Sequence, residues 1–591
     1  MSFEYHTHFE QLKKHRSIAR LSALETLLAR FSTGERVVLY GLSIILAAST
    51  FALLACVSNA LSIAIPTQGG SLTEGLVGPA RFINPVIALS QSDNDLATLV
   101  YSGLTRTLPD GSIIPDLAST YDISHDGTVY TFHLRPNASF HDGTPVLAAD
   151  VLFTIQKAKD PDIKSPHRAD WEGVTVSAPD SHTIVCTLAH PYAPFLENTS
   201  LGILPKHLWE HVSAQDFPFS PLNIHAIGTG PYRVSRIDID ETGVPTRFDL
   251  VPFSAFTLGK PYVSTVTFLF YPNNDDLLTA YNAGDIDSVA GIAPADVSTI
   301  HRKDAALVHA ALPRTFGIFF NQSKNPLLAD ASVRTALDSA IHKDVLVADV
   351  LKGYGVVLTG PIPPHILDHV DPATPHALTQ NIFATSTVDT SANAKNALIK
   401  GGWVFDPHAS VWKKHNDILH LSLATADEPE LSATAQSVAA SWRSIGIVVD
   451  VHVYPLSELN TIVIRPRAYD AILFGEVVGR TVDLFAFWHS SQRSDPGLNV
   501  SMYANSKTDS LLTQARATDN KKDRARLYTQ FASIINADKP AVFLYAPDFI
   551  YLVPRKLSGV DIGVLTTPSE RFATIYTWYI ETERVWTIFT K

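Results

Sequence analysis

The sequence has 591 residues, a formal net charge of −12, and 46% hydrophobic against 18% charged residues. That length exceeds what one hydrophobic core serves, so several domains are expected, and the composition is that of a folded chain, which excludes disorder. The acidic balance, with no basic stripe through the bulk of the chain, excludes a nucleic-acid partner.

The first element is apolar. Residues 37–66, "VVLYGLSIILAASTFALLACVSNALSIAIP", carry no charge and exceed the roughly 20 residues that cross a bilayer. Lys13, Lys14, Arg16, Arg20, Arg30 and Arg36 precede this run, and the next basic residue is Arg81. The positive-inside rule then makes residues 1–36 a cytoplasmic basic tail, 37–66 a single-pass anchor, and the remainder extracytoplasmic. The apolar core and basic lead are longer than those of a secretory signal. The alternative is "LLAC" at 53–56, which resembles a lipobox with Cys56 acylated. Leu21, Leu24, Leu28 and Phe31 recur at helical spacing, as in an amphipathic helix on the inner membrane face or an ordinary helical lead-in.

Beyond residue 66, strand and helix signals interleave in a mixed α/β pattern. In "TVYTFHLRPNASFHDGTPVLAADVLFTI" (128–155), Tyr130, Phe132 and Leu134 share one face of a strand, and Asp142-Gly143 supplies a tight turn. Thr144-Pro145 reads as an N-cap followed by the first helical position, with Asp150 in the early helix. Cys186, in the alternating "HTIVCTL", reads as a plain buried thiol. "YVSTVTFLFYP" (262–272) reads as a half-buried strand. Residues 330–351 read as a helix burying Val333, Leu337, Ile341 and Val345, and 431–447 as a second helix followed at once by the strand "VVDVHVY".

Several blocks resemble, in order, those of the family 5 extracellular solute-binding proteins, receptors of ABC importers for oligopeptides, dipeptides and nickel. They are "NDLATLVYSGLTR" (94–106), the stretch from "LAST" to "AADV" (117–151), "GTGPYRV" (228–234), "AYNAGDIDSV" (280–289), residues 318–344, "GPIPP" (360–364) and residues 499–545. The resemblance implies an α/β, two-lobed periplasmic-binding-protein-like clamshell of the large peptide-binding class (type II), preceded by one transmembrane helix. Lobe I would take residues 67–270 and again 541–591, with lobe II, 271–540, inserted between them. Such a protein binds a peptide or peptide-like solute in the cleft and hands it to an ABC permease and ATPase. It would be a monomer, held in the membrane through residues 37–66, without a cofactor. A sensory or interaction receptor on the same fold is the alternative.

In relatives, an acidic residue after a "YD" strand binds the ligand's amino terminus, and the matching region here is 468–492. Asp483 matches the later acidic position, while Arg480 stands near where the amine-binding aspartate would be, a fork-shaped donor suited to a carboxylate or phosphate. The resemblance makes Arg480, Glu476, Asn321 and Tyr503 candidate ligand-binding residues, with a solvated loop charge as the other reading of Arg480 and Glu476; it makes Trp488 either a cleft platform or a core side chain, and Tyr232 a structural residue. Three metal-like spacings carry less: His365, Asp368 and His369 in "HILDH", the calcium-loop-like run with Asp238, Asp240, Gly243 and Asp249, and "HTH" at 6–8. "HILDH" follows a proline-rich turn, Thr242 breaks the second pattern, and the third is too short, so no metal site is assigned. GxSxG, HExxH, GxxxxGK[ST] and CxxC are absent, and nothing asks for catalysis.

Overall fold

The computed structural model describes residues 31–364, 366, 390–479, 482–518 and 520–590, in two units: Met1–Thr67 with Glu581–Lys591, and Gln68–Ile580. In the first unit the apolar run forms a 29-residue helix, Thr33–Leu61, capped by Ser32 and Glu35 in reciprocal hydrogen bonds. Its mean hydropathy is 2.3 and none of its residues is buried, as suits a membrane-spanning helix. The helix ends earlier than expected. Residues 62–66 belong instead to a strand, Ser62–Thr67, which pairs antiparallel with Glu581–Trp586. That pairing places the last residues with the N-terminal helix, and not with lobe I as expected. Leu21, Leu24, Leu28 and the "HTH" motif lie outside the described residues.

The second unit is built on a sheet that, among the described residues, has 12 strands. Its spine is the long strand Ala541–Pro554. One half of that strand pairs with Arg314–Phe320 and Gly355–Val357, the other with Ala305–Ala311 and Ser288–Ala290. The sheet continues on one side to the parallel pair Gly69–Val77 and Val263–Tyr271, and on the other to Ala471–Val477 and His420–Ala426. The strands within 288–311 therefore pair on the side of the sheet expected for lobe I, and the pairing changes side at Leu312 and Pro313 and not at the expected 270.

The 128–155 block is scaffold. Tyr130, Phe132 and Leu134 are buried on the strand Val129–Leu134, within a four-stranded sheet. Gly143 turns the chain at φ 88°, but the helix starts at Ala148 and not at Pro145. Asp142 explains the delay: its carboxylate accepts hydrogen bonds from the Thr144 amide (3.0 Å) and hydroxyl (2.7 Å), forming a side-chain turn, while Pro145 bridges Ser139. Asp150 caps the true start, accepting from the amides of Leu147 (2.8 Å) and Lys206 (2.9 Å). His141 is locked between the Gly228 amide and the Gly230 carbonyl, and burial pushes its imidazole down to about 4. Both glycines are required there: a Cβ would stand 2.1 Å from the Val100 carbonyl at 228 and 2.4 Å from the Leu99 carbonyl at 230.

Other expectations divide. The helix Pro429–Ser444 and the strand Val448–Tyr454 lie as read, and Cys186 is fully buried, its thiol pushed up to about 12 by that burial. The strand Val263–Tyr271 is buried more continuously than half-buried alternation predicts, because both its faces are covered. The helix over 330–351 is broken into Ala331–Ser339 and Lys343–Val350, and the break shifts the phase so that Val345 is 54% exposed. The calcium-like run is a β-hairpin, Tyr232–Ile239 with Pro245–Pro252, in which Asp240 accepts from Thr242 and Val244 and Asp249 from Arg247 and Thr267.

Lobe I is fastened by a buried ion cluster. Arg571 is fully buried and donates to Asp95 (2.5 and 2.9 Å) and Glu74 (2.6 Å), while the Tyr551 hydroxyl donates to Glu74 at 2.6 Å. Burial works against the guanidinium's charge, but the two carboxylates outweigh it and hold its pKa above the usual value. Removing one partner of a buried cluster strands the others. Arg571→Met is expected to destabilise the protein by about 3–5 kcal/mol in urea unfolding; an unchanged midpoint would mean that the cluster contributes nothing net.

Candidate functional site

At the crossing between lobes, Leu312 and Pro313 interrupt the strand order while the Leu312 amide reaches the Pro547 carbonyl. Proline has no amide hydrogen, so the long strand cannot form a complete ladder at this point. Beside it lies a cavity of about 420 Å³, lined among others by Gln91, Asn274, Arg314, Phe316, Glu430 and Phe549. Its size is that of a small-ligand pocket, and its walls come from both lobes.

Among the described residues, two charges in this cavity have no protein counter-ion. Arg314 opens the strand Arg314–Phe320, and its buried Nε has no hydrogen-bond partner among the described residues. Burial lowers its pKa, and among the described residues no ion pair restores it. Glu430 lies in the first turn of the helix Pro429–Ser444, where the helix dipole favours a carboxylate. Burial, followed by the carboxylates of Glu428 and Asp296, nevertheless raises its pKa above the usual range. A cation and an anion facing one cavity without partners can receive a ligand carrying both charges.

The residues expected from sequence sit elsewhere. Trp488 is fully buried in lobe II, packed among Phe319, Tyr503, Phe531 and Phe543, so it is a core side chain and no cleft platform. Its indole donates to Glu476 at 3.1 Å. Asn321 is spent on the Arg467 carbonyl and the Lys324 amide, and Tyr503 donates to Asp538. None of these four lines the cavity. Arg480, like His365, Asp368 and His369, lies outside the described residues. Arg314 and Glu430 were missed because a charge at a strand start and another in a helix first turn both read as ordinary solvated positions.

A second interlobe contact lies away from the cavity. Asp483 accepts from Arg516 (2.6 and 3.0 Å) in lobe II and stands 3.4 Å from the Tyr192 hydroxyl, while the Ala193 amide donates to the Arg516 carbonyl. Arg516 also stacks over Phe485, its guanidinium carbon 4.2 Å from the ring centroid. The matched acidic position is thus occupied by a latch.

Residues 112–529 match the family described as Bacterial extracellular solute-binding proteins, family 5 Middle. The chain belongs to that family. Among curated proteins, this family 5 member is 26% identical to the oligopeptide-binding protein AppA of Bacillus subtilis, covering 84% of this chain and 89% of AppA. It is 24% identical to the dipeptide-binding protein of Escherichia coli, over 86% and 95%. Among solved structures, NikZ of Campylobacter jejuni in complex with Ni(L-His) has a TM-score of 0.65 at 25% identity, covering 86% of this chain and 99% of NikZ. The family is one of substrate-binding proteins, and its two-domain, mixed α/β architecture is the one expected from sequence.

Burial pushes the Glu476 carboxyl from its ordinary 4.5 up to about 8, opposed among the described residues by the Trp488 hydrogen bond, and its second oxygen has no partner among them. Between those values the folded chain keeps a proton that the unfolded chain has lost, so stability falls with rising pH by up to about 1.4 kcal/mol per unit and levels off above the folded value. Glu476→Gln retains the indole's acceptor and removes that slope; the melting temperatures of the two proteins should converge at acidic pH, separate in the variant's favour as pH rises from about 4.5 to about 8, and keep a constant gap above that. Arg516→Ala should loosen the latch. The pair is partly exposed, so the effect is on the order of 0.2–1 kcal/mol, seen as a larger radius of gyration in small-angle scattering and as faster ligand release by no more than about fivefold.

Proposed function

We infer that this protein is a membrane-anchored, extracytoplasmic receptor that captures a short peptide or peptide-like solute and delivers it to an ABC permease and its ATPase. The observation that carries the reading is the pair of partnerless charges in the crossing cavity. Arg314 matches an α-carboxylate, which its guanidinium grips with two parallel hydrogen bonds, and Glu430 matches an α-ammonium group. A zwitterion would neutralise both and recover the desolvation that each now suffers. The names of the relatives, an oligopeptide-binding and a dipeptide-binding protein, support the same class. The cavity's volume favours a ligand of two or three residues over a long one.

The helix Thr33–Leu61 supports anchoring. The remaining sequence-derived candidates, Trp488, Glu476, Asn321 and Tyr503, act on this reading as the frame of lobe II and not as ligand contacts. Hinge motion at Leu312, Pro313 and Pro547 would open and close the cavity, with the Asp483–Arg516–Tyr192 contact biasing it towards closure.

Removing one partner of a desolvated charge pair costs about 2–5 kcal/mol of binding. Titration calorimetry with di- and tripeptide pools should show Arg314→Ala weakened by roughly thirtyfold or more. N-acetylated peptides should lose affinity for the wild type but no further affinity for Glu430→Gln. Undiminished binding by Arg314→Ala would reject carboxylate capture at this cavity.

A further inference from the structure

In the first unit, the strand after the helix meets the last strand of the described residues. The strand Ser62–Thr67 leaves the helix, and Glu581–Trp586 pairs with it antiparallel, Ser62 opposite Trp586. The returning strand therefore runs back towards the helix's C-terminal end and is tied to it by side chains. The Trp586 indole donates to the Ser58 hydroxyl at 3.2 Å, and Arg584 donates to the Asn59 side chain at 2.6 Å.

Helix rise fixes where this junction stands. At about 1.5 Å per residue, Ser58 lies roughly 33 Å along the helix from Arg36, and the hydrocarbon core of a bilayer is about 30 Å thick. With Arg36 at the inner headgroups, Ser58 and Asn59 reach the outer ones. Trp586 is thus held at headgroup level, where its amphipathic ring is favoured. The chain then continues as "TIFTK". Trp586 is 46% exposed, Ile588 74% and Phe589 76%, with basic Arg584 before them and Lys591 after them in sequence. Large apolar side chains flanked by cations, beside a membrane helix, match the boundary between acyl chains and anionic headgroups.

We propose that the C-terminal segment from Trp586 onward is a second membrane contact, in which Trp586, Ile588 and Phe589 enter the outer interface of the bilayer crossed by Thr33–Leu61. This rests on the helix being an uncleaved anchor.

The test uses the full-length protein, with Cys56→Ala, in phosphatidylethanolamine/phosphatidylglycerol vesicles; Cys186, fully buried, stays unlabelled. Spin labels are placed one at a time through Leu46→Cys, Glu583→Cys and Ile588→Cys, and relaxation by oxygen is compared with relaxation by a water-soluble nickel chelate. Oxygen-dominated relaxation at 46 and 588, with chelate-dominated relaxation at 583, is expected. Oxygen at 46 but chelate at 588 overturns the second contact and keeps the anchor. Protection of 588 from both reagents overturns it in favour of a protein partner. Chelate access at 46 removes the anchor and the proposal together.

Discussion

The strand Ala541–Pro554 contributes side chains to every hydrophobic cluster of the body. Val542 and Leu544 enter one core of lobe II, Phe543 and Ala546 the other, Phe549 and Tyr551 the core of lobe I, and Ile550 and Leu552 the cluster under Ser288–Ala290. Alternation on a strand sends successive side chains to opposite faces, so one continuous segment can belong to both lobes at once. The shared strand ties the lobes to a common axis, and its ladder is incomplete at Pro547, which has no amide hydrogen. The Arg571 cluster then holds the lobe I half through Tyr551, and the Thr434–Tyr545 hydrogen bond ties the lobe II half to its neighbouring helix.

Function follows from where that incompleteness lies. A crossing without a full ladder is the place where backbone and side-chain polar groups can remain available, and Arg314 and Glu430 stand beside it. Desolvating an unpaired charge is costly, and on the proposed reading a ligand with complementary charges offsets that cost. On the same reading, binding and hinge angle would be one equilibrium, because a ligand touching both lobes favours the arrangement in which both touch it. The Asp483 latch is a weaker bias on the same equilibrium, since its charges are partly hydrated.

Much of the fold was legible in the sequence because local rules and tertiary packing agree there. Tyr130, Phe132 and Leu134 alternate and are buried; Gly228 and Gly230 mark a backbone approach that only glycine permits; the 431–447 helix and its strand follow their periodicity. Where the rules failed, a specific interaction won. The Asp142 side chain captured Thr144 and delayed a helix, and a break after Ser339 turned Val345 outward. The site was less legible. The region matched to ligand contacts supplied Trp488 and Glu476, which share a buried hydrogen bond in a core. Arg314 and Glu430, remote in sequence, come to line one cavity only through the fold, one from a strand start and the other from a helix first turn. A residue's type and local pattern do not reveal whether its counter-charge comes from the protein or from a ligand.

Native mass spectrometry of the full-length protein, released gently in detergent and compared with Arg314→Ala, probes the crossing cavity most directly. Discrete adducts at di- or tripeptide-like masses on the wild type, absent from Arg314→Ala, are the predicted result. Equal adducts on both proteins, or a wild type that arrives empty and takes up no added peptide, would contradict peptide capture at this cavity.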